Sequence, residues 1–133
     1  MTKCVYCNTE IMDEHIRCMN CDNIIKWCDK LVEYWEDKNI QQIKSLFDEE
    51  CECYDTPFSS KGNVEEDWKE IEDQDIRSIH VKILAIKDNE CFVEFVIDYH
   101  DEICNAINHI KFNDNNKCIY LKQWYMSKPN EQS

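Results

Sequence analysis

Two Cys-x2-Cys pairs open the chain. The stretch "CVYCNTEIMDEHIRCMNC" carries Cys4 and Cys7, ten intervening residues, then Cys18 and Cys21. A Cys-x2-Cys turn brings two thiolates to one side. A second such turn completes a tetrahedral shell with metal–sulfur distances of about 2.3 Å. A redox site expects one Cys-x-x-Cys where a strand opens into a helix, and a doubled pair fits that poorly. Four unrelated buried cysteines would rarely repeat one spacing. The pattern predicts a structural Zn2+ held by Cys4, Cys7, Cys18 and Cys21, with no position left open for a reacting water. Spacing alone does not separate zinc from iron; zinc is expected on prior grounds. His15 lies between the pairs, but four thiolates already close the shell.

The stretch resembles the short bacterial zinc ribbons found at protein N-termini. Those usually carry Gly after the second and fourth Cys, where this chain has Asn8 and Asp22. Both residue types tolerate left-handed backbone. Ribbons that grip nucleic acid are basic, whereas Lys3 and Arg17 are the only Lys or Arg in residues 1–21.

The remaining composition narrows the function. A chain of 133 residues, 43% apolar and 32% charged, supports one main domain with a small appendage. A formal charge of −13 opposes binding to phosphate backbones and to anionic membrane surfaces. No apolar run approaches the roughly 20 residues that span a bilayer, and "MTKCVYCNTE" has no apolar signal core. No nucleic acid and no membrane are therefore expected as partners. Ten cysteines without an export signal point to reduced or metal-bound thiols in the cytoplasm.

From Ile24 the pattern is helical: Ile24, Cys28, Leu31 and Trp35 form a stripe, while Asp29, Lys30, Glu33 and Glu36 face water. "DKN" (37–39) breaks it, and "IQQIKSLF" (40–47) makes a second short helix. "CECYDTPFSSKGN" (51–63) starts with strand alternation and becomes a loop, and Asn63 with Glu66 marks a third helix start. Four strands follow, over 76–87, 90–100, 103–113 and 117–126, rich in β-branched and aromatic residues. Tight separators make them an antiparallel meander, and helices before strands indicate an α+β fold. In the second strand Cys91, Val93, Phe95, Ile97 and Tyr99 share one face, as core or pocket wall. Cys51 and Cys53 point the same way, either as buried small hydrophobes or as a second thiol site with Cys104 or Cys118. His80 and His109 have no assigned partner.

The order helix, short helix, "YDTPF", helix, then four long strands ending in "KCIYLKQWYMSKP" resembles the nuclear-transport-factor-2-like superfamily, which includes SnoaL-like cyclases and ketosteroid isomerases. The resemblance covers about residues 27–129. It implies a cone: a curved antiparallel sheet and about three N-terminal helices around an apolar pocket, in a protein that is often a homodimer. The chain then divides into a zinc ribbon (1–24), a SnoaL-like domain (25–129) and a polar tail (130–133). Carried over position by position, the catalytic carboxylate falls on Asp55 and a carbonyl-polarising donor on Asn108. The third position, a Tyr in the family, falls on Leu31, which has no hydroxyl; Tyr34 is three residues on. Trp35, Phe58, Trp68, Phe95 and Trp124 are the expected pocket aromatics. Read as residues alone, Asp55 before Thr56-Pro57 also suits a turn, Asn108 a satisfied core amide, and Trp124 a packing or dimer contact. Two functions follow. One is a zinc-containing module that binds a small apolar ligand or a protein partner. The alternative is a lyase or isomerase with Asp55 as general base and Asn108 as donor.

Overall fold

A computed structural model of the chain describes residues 2–13, 15 and 17–130. The first knuckle is folded into a minimal hairpin. Strands β1 (Thr2–Lys3) and β2 (Glu10–Ile11) pair antiparallel around Cys4–Cys7, and Asn8 takes a left-handed φ of 67° behind the second Cys. Asp22 does not play the matching part. It lies in the first turn of helix α1 (Met19–Glu36), paired with Arg17 at 2.7 Å and Lys26 at 2.9 Å. The helix starts at Met19, earlier than its apolar stripe, because Cys18 is its N-cap: the Sγ accepts from the Cys21 N–H at 3.4 Å. The second knuckle and the helix start are thus one structure, and α1 runs unbroken through residues 24 and 25.

α1 ends as the "DKN" break predicts. Lys38 adopts a φ of 55°, its N–H donates to the Trp35 carbonyl, and the Asn39 N–H donates to that of Tyr34. Those two bonds satisfy carbonyls that a helix end leaves orphaned. The Asn39 side chain then caps α2 (Ile40–Ser45) through the Gln42 N–H, and the Asn63 side chain caps α3 (Val64–Lys69) through Glu65 N–H. A 3-10 turn (Glu70–Asp73) follows α3.

The meander is β4 (Ile76–Lys87), β5 (Glu90–Tyr99), β6 (Glu102–Phe112) and β7 (Cys118–Pro129), paired antiparallel in sequence. A fifth strand, β3 (Phe47–Tyr54), joins β7 in parallel, giving the order β3-β7-β6-β5-β4. The sheet is therefore mixed rather than wholly antiparallel. The intervening crossover from β3 through α3 and the meander is what permits the parallel pair. Register shifts within β4, between β6 and β7 and within the β3 pairing bend the sheet into a cone.

The inner face of the sheet receives α1. Cys91, Val93, Phe95 and Ile97 of β5 and Ala106, Asn108, Ile110 and Phe112 of β6 are buried, while their neighbours alternate outward. Trp27 fills the narrow end, with its ring 5.5 Å from Phe47 and 5.1 Å from Phe112 and its indole N–H donating to the Leu46 carbonyl at 2.9 Å. No helix among the described residues is long and apolar enough to cross a membrane.

Trp27 is 3% exposed and Phe58 98% exposed, and urea unfolding should separate them. Trp27→Ala is expected to cost about 3–5 kcal/mol through the cavity it leaves, and Phe58→Ser less than about 0.5 kcal/mol.

Candidate functional site: a four-cysteine cluster and an acidic-mouthed cavity

The two knuckles converge. One Sγ from each of Cys4, Cys7, Cys18 and Cys21 lies within 4.8 Å of the others, and Cys7 and Cys18 stand 3.6 Å apart. Sulfurs at about 2.3 Å from one tetrahedral ion would be about 3.8 Å apart, so the four can hold a metal ion. The electrostatics fit a cation. Burial alone would raise the Cys4 thiol, but N–H groups of Cys18, Tyr6 and Cys7 together hold it down at about 6. The Thr9 hydroxyl, 3.1 Å away, is the main cause that lowers Cys7. Cys21 is pushed the other way, first by burial and then by the neighbouring sulfurs. A bound ion removes that conflict, because it favours the thiolate at all four positions. His15 is exposed and outside the cluster.

The wide end of the cone is hollow, with a cavity of about 640 Å³. Trp35 roofs it from α1, its ring edge-on to Trp68 of α3 at 4.9 Å and 5.9 Å from Phe95 of β5; all three line the hollow. Asp55 and Asn108 also line it. Asn108 is 2% exposed, and its Nδ2 has no hydrogen-bond partner among the described residues. Asp55 follows directly on β3 and is exposed at the rim, where Gln123 Nε2 stands 3.4 Å from its carboxylate and from its carbonyl oxygen. Gln123 is the cross-strand partner of Asn108. Asp55, Gln123 and Asn108 therefore form a polar row across three adjacent strands, at strand spacings of about 4.8 Å.

Other expected residues lie elsewhere. Phe58 sits in the loop after β3, outside the lining. Trp124 alternates with the cavity-lining Gln123 and Tyr125, so it faces the outer side of the sheet under the Lys122 ammonium. Leu31 lines the hollow, and Tyr34 does not. Cys51 and Cys118 have sulfurs 3.6 Å apart and Cys53 continues the row at 3.6 Å from Cys51; the neighbouring thiol first, Cys118 for Cys51 and Cys51 for Cys53, and then burial push both thiols up. His109 stacks on Phe92 at 4.3 Å on the outer face.

Two members of the site had no sequence signal of their own. Gln123 becomes visible only through register. Asp67, on α3, lines the hollow beside Gly62, the single glycine of the chain. A Cβ at Gly62 would stand 2.6 Å from the Asp67 carboxylate, so a larger residue there would make that side chain shift. Partial burial first, then the Asp55, Glu66 and Glu70 carboxylates, raise the Asp67 pKa. Tyr99 and Cys104 of the lining are also raised by burial, Tyr99 to about 12.

No protein-family model matches the sequence, and no curated protein matches it. Solved structures do. An NTF-2-like protein of unknown function from Burkholderia xenovorans superposes with a TM-score of 0.68 at 13% identity, over 81% of this chain and 86% of that one. The epoxide hydrolase/cyclase-like enzyme SalBIII, with a role in pyran ring formation in the polyether salinomycin, gives 0.71 at 11% identity, over 81% and 95%. A steroid delta-isomerase from Pseudomonas aeruginosa gives 0.61 at 12% identity, over 80% of each chain. At such identities the likeness is one of fold: the chain has the NTF2-like α+β architecture, preceded by a four-cysteine cluster that can hold a metal ion.

Proposed function

We propose that the protein is a small-molecule-binding module whose cone takes an apolar ligand and whose N-terminal ribbon is held by a structural Zn2+. One observation carries the binding reading: the buried Asn108 amide, unpartnered, in a hollow walled by Trp35, Trp68 and Phe95. A buried donor without a partner is costly, and a ligand carbonyl would satisfy it. A lyase or isomerase remains the second reading, favoured by the row Asp55–Gln123–Asn108. Asp55 would take a proton beside a carbonyl while Asn108 stabilises the developing oxygen charge.

Four thiolates are the ligand set that suits Zn2+ in a closed shell, and the ion would fix the start of α1. The proposal places the chain in a reducing cytoplasm, where the six cysteines outside the metal shell stay as thiols. A homodimer through the outer sheet face is part of the same proposal, supported by the half-exposed Trp124 and the exposed Met126. A protein partner on that face would serve the interaction reading instead.

The zinc is tested by metal analysis and melting. Cys7→Ser is expected to lose the ion and lower the melting temperature by about 10 °C, equivalent to about 3 kcal/mol in a domain of this size, while Cys104→Ser keeps both. An unchanged melting point in Cys7→Ser would remove the staple. Acetophenone tests the cone. Asn108→Leu should bind it about 10-fold more weakly, as loss of one hydrogen bond implies. In heavy water, the binding reading expects no exchange of the acetophenone methyl protons above buffer. The enzyme reading expects exchange that falls at least about 100-fold in Asp55→Asn. Sedimentation should find a dimer that Trp124→Glu converts to monomer; a monomeric wild type would end that part of the proposal.

A further inference from the structure

The rim of the hollow is built from acid. Seven carboxylates line it, among them Asp55, Asp67, Asp101 and Glu102, and no Lys or Arg among the described residues does; His100 is the single basic side chain. None of the seven has an ion-pair partner among the described residues, although Lys and Arg pair with acids elsewhere on the chain. Nor do they converge on a bare metal ion, since the cysteine cluster is the one group of metal-ligating side chains close enough among the described residues. The carboxylates are instead spread around an aromatic wall. Such an arrangement suits a large, weakly hydrated cation, attracted by the carboxylates and by ring faces together.

Deeper in, the unmet polar groups include donors. Asn108 Nδ2 and Trp35 Nε1 are donors without protein partners among the described residues, on residues 2% and 8% exposed, and both residues line the hollow, as does Gln74, whose Oε1 is an acceptor without one. The two donors call for an uncharged oxygen acceptor in an apolar setting. An anionic acceptor there would have to pass the acidic rim and shed its water.

Resting on the small-molecule-binding reading above, we infer that the ligand class is an organic amine: an apolar body in the cone, a carbonyl-type oxygen on Asn108 Nδ2, and a protonated nitrogen at the carboxylate rim. The geometry sorts ligands by charge as well as by shape. Acidic substrates are rejected at the mouth by Asp55, Asp67, Asp101 and Glu102, neutral ketones enter with the oxygen contact alone, and cationic ones gain both.

Calorimetry with a matched set tests this on the full-length, metal-loaded chain at low salt. The set is 4-acetylbenzylamine (cation), 4-acetylbenzyl alcohol (neutral), 4-acetylphenylacetate (anion) and 4-ethylbenzylamine, which lacks the carbonyl. The amine ketone is expected to bind at least about 10-fold more tightly than the alcohol, with the anion not measurable and the preference shrinking at 0.5 M salt as charge is screened. Asp67→Asn should reduce the preference for the cation while keeping the alcohol's affinity. Asn108→Leu should abolish the advantage of 4-acetylbenzylamine over 4-ethylbenzylamine. Ala106→Leu, which fills the hollow from the inner face of β6, should abolish binding of all four; amine binding that survives it would belong to the acidic surface and would overturn the assignment. If the alcohol matches the amine, or the anion binds, the charge selection is wrong and the pocket stands. If none of the four binds a chain that melts normally, both the pocket and its charge selection fall.

Discussion

The seating of α1 on the inner face of the sheet is the constraint on which the rest of the molecule depends. The helix has 18 residues, a rod of about 27 Å, and it does a different job at each point along it. Its N-cap and first turn supply two of the four clustered thiols, Cys18 and Cys21. Its middle drives Trp27 between Phe47 and Phe112 and ties the indole to the Leu46 carbonyl, which also accepts from the Cys118 N–H. That one oxygen joins helix, loop and sheet. Near its end Trp35 meets Trp68 and Phe95 edge-on and leaves open space beneath. The narrow end of the cone is filled and the wide end is hollow because the aromatic contacts close at one tryptophan and bridge at the other.

The hollow carries electrostatic costs that a folded domain would otherwise shed. The Asn108 amide nitrogen finds no partner among the described residues and is left to whatever occupies the hollow. Asp67 is seated beside Gly62 where burial and three other carboxylates work against its charge. Elsewhere Asp22 has Arg17 and Lys26, and Asp98 accepts from Asn130 at 3.0 Å. Three of the four buried side-chain atoms without a protein partner among the described residues, on Trp35, Gln74 and Asn108, belong to the lining of this one hollow, which marks it as the place where something from outside the chain fits.

Much of this was legible in the residues. The doubled Cys-x2-Cys brought the four thiols together because its spacing is set by local turns. The stripe Ile24, Cys28, Leu31, Trp35 found the helix face, and β4 to β7 fall within a few residues of their expected bounds because hairpins are local. What escaped notice is non-local. The parallel pairing of β3 with β7 spans the whole meander, and β3 starts back at Phe47, inside what reads as the end of a helix. Gln123 enters the site only through its register opposite Asn108, and Asp67 only through the close approach of α3 to Gly62. Phe58 and Trp124 show the limit of composition: both are aromatics near the right segments, and neither side chain reaches the hollow. Asp22 shows the same limit for a motif, since a helix start replaced the left-handed turn expected there.

The most direct measurement is the side-chain amide resonance of Asn108 in an 15N-labelled sample, assigned by its loss in Asn108→Leu, with acetophenone added to saturation. A donor waiting for an acceptor should shift strongly downfield, with little change at amides of the outer face such as Asn105. An Asn108 resonance that stays in place while acetophenone demonstrably binds would mean that the hollow around this amide is not where ligands are held.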